Sequence, residues 1–156
     1  MHCRPHVFER GGAFMFQTLF SQVGLACAIA VTAFAFLKGD EPERIGASVF
    51  MLGFFGSKLV QDLSFLGGVQ WNLMAIDIIV LIVFSALAWK SGRAWPVWVC
   101  ALQSLIVMSH VTTILDIRPP MGAFYAVMNL ASYGILIAIV VGTFWAWQDR
   151  RAAGLE

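Results

Sequence analysis

Near the end of a long apolar run, residues 45–66, the chain reads Ser57-Lys58-Leu59-Val60-Gln61-Asp62-Leu63-Ser64-Phe65. Lys58 and Asp62 are four residues apart, so on a helix they share one face and can pair. Ionised side chains are costly inside hydrocarbon, and other helices must therefore supply further polar partners for this stretch. The sequence around it is almost entirely apolar, which makes a bundle of helices the natural solution.

Composition places the whole chain in the membrane class. Its 156 residues are 60% hydrophobic and 12% charged, with a mean hydropathy of +0.80, whereas a soluble domain carries roughly a quarter charged residues. The net charge of +1 gives no field that would attract nucleic acid. Cys3, Cys27 and Cys100 form no disulfide framework. There is no zinc-type spacing or glycine-rich phosphate loop, so no metal or cofactor is expected.

The pattern of apolar segments predicts an all-α, polytopic transmembrane helical bundle over residues 13–147. Charged residues, glycine and proline separate the segments, most clearly at 38–44 and 116–122. Each segment can cross a hydrocarbon core of ~30 Å at ~1.5 Å per residue. The five predicted spans are residues 13–37, 45–66, 71–89, 95–115 and 123–147.

Two segments leave alternatives open. The second could be a re-entrant or interfacial helix, because it contains Lys58 and Asp62, and the protein would then have four spans. The first could be a signal peptide, but its apolar run exceeds the usual ~7–15 residues, which favours a retained anchor. Residues 1–12 are expected to be disordered or, if translation starts at Met15, an annotation artefact. Residues 148–156 form a short basic tail.

The distribution of positive charge predicts the orientation. With five spans, one side receives six basic residues and the other receives three, so the positive-inside rule puts the amino terminus in the periplasm and the carboxyl terminus in the cytoplasm. The first set is Lys38, Arg44, Lys90, Arg93, Arg150 and Arg151, and the second is Arg4, Arg10 and Arg118. Five tryptophans fall at the predicted inner interface: Trp89, Trp95, Trp98, Trp145 and Trp147.

Polar residues within the spans cluster at one depth. They come early in odd segments and late in even ones, and alternate segments run in opposite directions, so they share the outer half of the membrane. The predicted ligand or ion pocket contains Lys58, Gln61, Asp62, Asp77, Gln103, His110 and Asn129.

Within that set, Asp77 and His110 make the most informative couple. A carboxylate beside an imidazole can relay protons or position a metal ligand, and Asp77 could also stay protonated if buried. Gln103 lies seven residues before His110 and shares its helix face. The alternative is that these side chains only hydrogen-bond the helices together. No nucleophile or metalloprotease motif is present, so an enzyme is not expected.

A second pattern favours helix packing. Gly134, Ala138 and Gly142 recur every four residues and form one smooth face on the last predicted span. Such a face could dock the chain onto a larger membrane protein or a second copy. The sequence therefore predicts an ion or small-molecule handling protein, or alternatively an accessory or assembly subunit of a larger complex, with lipid as the surrounding partner.

The last ninety or so residues resemble a family of small polytopic inner-membrane proteins of alphaproteobacteria. The resemblance rests on an Arg-x-Trp-Pro-x-Trp turn followed by Gln and then His. Its residues are Ala88-Trp89-Lys90-Ser91-Gly92-Arg93-Ala94-Trp95-Pro96-Val97-Trp98, Gln103, Ser109-His110, Tyr125, Ser132-Tyr133 and Gly142-Thr143. It implies a bacterial inner-membrane location and brings no particular activity or site.

Overall fold

A computed structural model describes residues 8–62, 69–115 and 121–154, with side chains described for 22–60, 71–113, 115 and 122–154. This part of the chain contains five helices and no strand, which agrees with the predicted helical bundle. The helices are α1 (Phe8–Lys38), α2 (Glu41–Asp62), α3 (Val69–Ser91), α4 (Trp95–Ile114) and α5 (Met121–Ala152).

The break between α1 and α2 is shorter than the predicted one at 38–44. Only Gly39 and Asp40 separate the helices, because Pro42 falls in the first turn of α2, where its missing N–H costs nothing. The side chain of Glu43 accepts a hydrogen bond from the backbone N–H of Asp40 at 3.0 Å. This is half of a capping box, and it starts the helix at once.

The remaining boundaries lie close to those predicted. Gly92 has a φ of +63°, a left-handed conformation that suits glycine and ends α3 before the turn into α4. At the amino end α1 already begins at Phe8, so residues 8–12 are helical, and at the carboxyl end α5 extends into the predicted tail as far as Ala152. Residues 1–7 of the predicted disordered extension lie outside the described residues.

The helices form a closed ring. Each packs on its neighbour in the chain, α1 returns to pack on α5, and α2 also touches α5. The centre is mainly apolar. Among its fully buried side chains are Phe84 of α3, Val99 of α4, and Ile135 and Ile139 of α5.

The outer surface is apolar too. Leu52 is 73% exposed and Leu130 is 75% exposed, as expected of side chains that face lipid rather than water. Within the described residues, three helices are long and apolar enough to cross a membrane: Trp71–Ser91, Trp95–Thr113 and Gly122–Ala152. The described apolar part of α1, Gln22–Lys38, is shorter, and α2 does not qualify. Three candidate spans thus stand where the sequence predicts five.

The structure corrects the predicted position of Trp95. Its side chain is only 6% exposed and lies between Gly46 of α2 and Gly142 of α5, where a Cβ on either glycine would overlap the indole ring. By contrast, Trp89 and Trp98 are exposed, as interface residues would be. Trp95 is therefore a core residue, because the two glycines open a slot for it.

Candidate functional site: a polar cavity between four helices

Asp77 and His110 meet because α3 and α4 are antiparallel. Asp77 lies in the first half of α3 and His110 lies near the end of α4, and the short turn around Gly92 brings these two regions side by side. The distance from His110 Nε2 to Asp77 Oδ2 is 2.9 Å. His110 is 3% exposed. The predicted couple is thus a hydrogen-bonded pair in the structure, with His110 buried and Asp77 partly buried.

Gln103 completes the arrangement from the same face of α4. Its amide nitrogen donates to Asp77 Oδ1 at 2.9 Å and to the Asp77 carbonyl oxygen at 3.3 Å. Gln103 is also buried. Both carboxylate oxygens of Asp77 therefore face a nitrogen, and the amide of Gln103 fixes the orientation of the carboxylate toward the imidazole.

The other ring nitrogen of His110 is different. Among the side chains that the structure describes, Nδ1 of His110 is the one buried nitrogen or oxygen atom with no hydrogen-bond partner. A buried polar atom without a partner costs about 1–3 kcal/mol, and such atoms in folded proteins call for a specific explanation. The ring of Phe124 approaches His110 with 6.4 Å between the ring centroids and provides no polar partner for Nδ1.

A cavity of about 530 Å³ lies beside this pair. Its volume is within the range of about 300–1,000 Å³ typical of small-molecule sites. Four helices build it, and half of its lining residues carry polar side chains. The lining residues are Phe50, Gly53, Phe54, Ser57 and Lys58 of α2, Leu73, Asp77 and Val80 of α3, Gln103, Ile106 and His110 of α4, and Phe124, Tyr125, Met128, Asn129 and Ser132 of α5.

Five of the seven predicted pocket residues line this cavity: Lys58, Asp77, Gln103, His110 and Asn129. Lys58 is exposed, and its ammonium lies 6.0 Å from the centroid of the Phe54 ring. The side chains of Gln61 and Asp62 lie outside the described ones, so the predicted Lys58–Asp62 pair remains a prediction. No three His, Cys, Asp or Glu side chains in the described regions are grouped so that they could hold a metal ion.

A second polar cluster, called the clamp below, occupies the opposite end of the bundle and consists of Asp40, Glu43, Arg93, Trp95 and Arg150. Glu43 is fully buried. Its Oε1 accepts from Arg93 at 2.7 Å and from the indole N–H of Trp95 at 2.7 Å. Arg93 also donates to Asp40 at 2.6 Å, and Arg150 bonds the other Asp40 oxygen. The clamp ties the α1–α2 turn to the α3–α4 turn and to the end of α5.

The charges of the clamp reinforce one another. Burial alone would raise the pKa of Asp40, but hydrogen bonds from Arg93 and Arg150 outweigh it and lower that pKa below its usual value of 3.8. Burial alone would lower the pKa of Arg93, but hydrogen bonds to Asp40 and Glu43 and the charges of both carboxylates raise it. Both side chains therefore stay ionised at neutral pH.

The predicted small-residue face packs within the chain. A Cβ on Gly134 would come within 2.9 Å of Leu102 on α4, and Gly142 accommodates Trp95. Ala138 packs against the apolar core. The face allows α4 and α5 of the same chain to approach closely, so a partner would have to use a different surface.

The sequence analysis missed Glu43, although a signal was present. Asp40-Glu41-Pro42-Glu43 precedes an apolar run and has the spacing of a helix cap, with an acceptor at the first position and a glutamate three residues later. The pattern predicts that Glu43 reaches back to Asp40. It does not predict Arg93 and Trp95, which lie far away in sequence.

Fold and polar clusters together define a helical bundle with three helices able to span a membrane and a polar cavity between four of its helices. Comparisons of the chain with protein families, curated proteins and solved structures gave no match. The resemblance to the alphaproteobacterial family therefore stays a prediction.

Proposed function

We propose that this chain is a five-span protein of a bacterial inner membrane that binds an ion or small molecule in the cavity beside Asp77 and His110. The observation that carries the proposal is the cavity of about 530 Å³ whose wall includes the hydrogen-bonded side chains of Asp77, Gln103 and His110. Asp77 holds the His110 ring through Nε2, and Gln103 in turn holds the carboxylate of Asp77.

Helix lengths support five spans. α1 has 31 residues and α2 has 22, which correspond to about 46 Å and about 33 Å at ~1.5 Å per residue. Both exceed the ~30 Å of a hydrocarbon core. The charged residues of α2 fall at its two ends or beside the cavity, where they need not contact lipid.

The clamp supports the proposed orientation. Its contacts bring the α1–α2 turn, the α3–α4 turn and the end of α5 to one end of the bundle. These regions carry the six basic residues of the predicted inner side, so we place this end in the cytoplasm. The cavity then lies in the outer half of the membrane, with the amino terminus in the periplasm.

The second candidate, an accessory subunit that docks through Gly134, Ala138 and Gly142, has less support. That face is occupied by α4 of the same chain. Purification in a mild detergent separates the two candidates. A defined larger protein that co-purifies in fixed ratio would favour the accessory role, and a homogeneous particle of this chain alone would favour the cavity.

Access of water-borne solutes to the cavity tests the first candidate directly. In a variant with Cys3, Cys27 and Cys100 replaced, Ser132→Cys places a thiol at the cavity wall and Leu130→Cys places one on the apolar exterior of the same helix. A neutral, water-soluble methanethiosulfonate should modify the thiol at 132 at least about tenfold faster, because a thiol in hydrocarbon does not ionise. Equally slow modification of both would contradict a cavity open to solutes.

A further inference from the structure

The polar side chains on two walls of the cavity differ in whether they already have partners. On α3 and α4, both carboxylate oxygens of Asp77 are engaged, one by Gln103 and one by His110. On α5, no hydrogen bond within the described part of the chain involves the amide of Asn129 or the phenol of Tyr125. The α5 wall therefore carries hydrogen-bonding groups that are available to a ligand.

The spacing along α5 places these two groups on one face of the helix. Tyr125 and Asn129 are four residues apart, and both line the cavity. Ser132 follows on the same wall, but its hydroxyl already donates to the Met128 carbonyl oxygen at 2.9 Å. Tyr125 and Asn129 thus form a polar edge, called the α5 edge below, and position 132 can be changed without removing either of its groups.

The depth of Asn129 makes a partner for its amide necessary. Asn129 lies seven residues after the start of the apolar span Gly122–Ala152, which corresponds to about 10 Å at ~1.5 Å per residue. An amide without a hydrogen-bond partner is costly in hydrocarbon. Asn129 is exposed and lines the cavity, so its partner has to come from what the cavity contains.

Aromatic rings form another part of the wall. Phe50 and Phe54 are four residues apart and share one face of α2, and Phe124 adds a third ring from α5. Aromatic side chains pack well against the face or edge of a further ring. The wall therefore favours a ring as the body of the ligand, while the α5 edge favours an oxygen atom attached to that ring.

Resting on the proposed function, we propose that the cavity binds an uncharged ring compound that carries carbonyl or hydroxyl oxygens, in the chemical class of quinones and phenols. The ring packs against Phe50 and Phe54, and an oxygen bonds to Asn129 and Tyr125. Both groups of the α5 edge are uncharged, and an uncharged ring enters a membrane at much lower cost than an ion does. The volume of about 530 Å³ accommodates such a ring with its substituents.

Protection of the thiol at 132 tests this inference. In the cysteine-replaced Ser132→Cys protein, the rate of modification by the neutral methanethiosulfonate is measured with increasing amounts of three compounds that have the same methylated ring. These are duroquinone, the corresponding tetramethylphenol, and durene, the parent hydrocarbon without oxygen. Duroquinone has no free ring position to which a thiol can add, and a soluble thiol measured with each compound controls for direct reaction.

We expect duroquinone or the phenol to slow modification by about tenfold once it is about ten times above its half-protection concentration, because mass action then leaves about a tenth of the cavities empty. Durene should protect little, although it enters a micelle at least as readily because it is less polar.

Asn129→Leu should raise the half-protection concentration by about tenfold, the change expected for the loss of one hydrogen bond. Leucine is favourable in a membrane span, so this variant is expected to fold, and its unprotected rate checks that the cavity is retained. Asn72→Leu is the matched control, because Asn72 is an exposed asparagine of α3 outside the described cavity wall. Its half-protection concentration should equal that of the parent.

The outcomes separate this inference from the function on which it rests. If neither oxygen-bearing compound protects better than durene, the inference is overturned, while modification in the absence of any compound still supports the cavity. Protection by tetramethylbenzoate at an equal or lower concentration would overturn the assignment to an uncharged ligand. Unchanged half-protection in Asn129→Leu would overturn the role of the α5 edge. Failure of the neutral reagent to reach position 132 at all would overturn the proposed function and this inference with it.

Discussion

The cavity and the clamp are two polar clusters at opposite ends of the same helices, and they differ in how completely their polar atoms are paired. In the clamp, Glu43 and Asp40 have hydrogen-bond donors on all four carboxylate oxygens. In the cavity, His110 keeps one buried nitrogen unpaired. In a closed cluster every polar atom is paired, and the cluster contributes only to the stability of the bundle. In an open cluster one polar atom is unpaired, which leaves a hydrogen-bonding group unused.

An apolar layer separates the two clusters. One turn beyond Val80 and two turns beyond Asp77 on α3, Phe84 is fully buried, and Val99 lies one turn before Gln103 on α4. Ile135 and Ile139 fill the corresponding positions of α5. The clamp therefore lies on the far side of this apolar layer from the cavity.

The largest expected effect is found by comparing two variants, each of which replaces one carboxylate by its amide, one in the clamp and one in the cavity. Glu43→Gln should lower the free energy of unfolding by about 3 kcal/mol, because it leaves Arg93 with one carboxylate fewer in a buried ion-pair network. Asp77→Asn should cost only about 1 kcal/mol, since its amide can still bond both Gln103 and His110. Unfolding in mixed micelles with increasing dodecyl sulfate measures both.

Glu41→Gln is the matched control for the clamp, because Glu41 lies in the same helical turn and is exposed. Its stability should equal that of the parent. If Asp77→Asn destabilised the protein as much as Glu43→Gln, the distinction between an open and a closed cluster would fail, and the Asp77–His110 pair would be structural.

The next largest effect concerns the slot for Trp95. Gly142→Ala should destabilise the bundle by about 1–3 kcal/mol, because the new Cβ overlaps the indole ring and overpacked cores lose this much. Gly122→Ala on the same helix has open space around its Cβ and should be neutral or slightly stabilising. Thermal unfolding in detergent compares the two variants. Equal stability of the two variants would show that the indole ring of Trp95 can move aside without lowering the free energy of unfolding.

The smallest effect is the pH dependence of the clamp. Because the folded-state pKa of Asp40 is depressed, its contribution to stability is present above the usual value of 3.8 and is lost as the pH falls through the lower folded value. Asp40→Asn should therefore be less stable than the parent near pH 6, with a difference that closes below about pH 3.8. A difference that stays constant down to pH 3 would contradict the ion pairs with Arg93 and Arg150.

Much of the fold could be predicted because hydrophobic segments and their breaks are local properties. Helices α3 and α4 are apolar around most of their circumference, and Gly92 marks the turn between them. Five helices follow from this pattern, but the start of α2 was missed because Pro42 suits a helix start as well as a break. Three candidate spans are found in the described regions, and whether α1 and α2 also cross the membrane is a question for direct measurement.

Part of the site could be predicted by the same local logic. Antiparallel segments bring early positions of one helix beside late positions of the next, which placed Asp77 near His110, and a spacing of seven residues placed Gln103 on the same face. The sequence could not show that Nδ1 lacks a partner or that a cavity lies beside it. Both depend on which side chains from α2 and α5 fill the space around the pair.

The sequence by itself thus determined an apolar helical bundle and the meeting of Asp77 with Gln103 and His110, because the order of apolar segments and the helical repeat act along the chain. Only the tertiary structure decided that Trp95 is a core residue, that Glu43 joins the α1–α2 turn to Arg93 and Trp95, and that Gly134 and Gly142 serve the chain's own packing. These outcomes depend on contacts between residues far apart in sequence, where the shape of one side chain sets the space left for another.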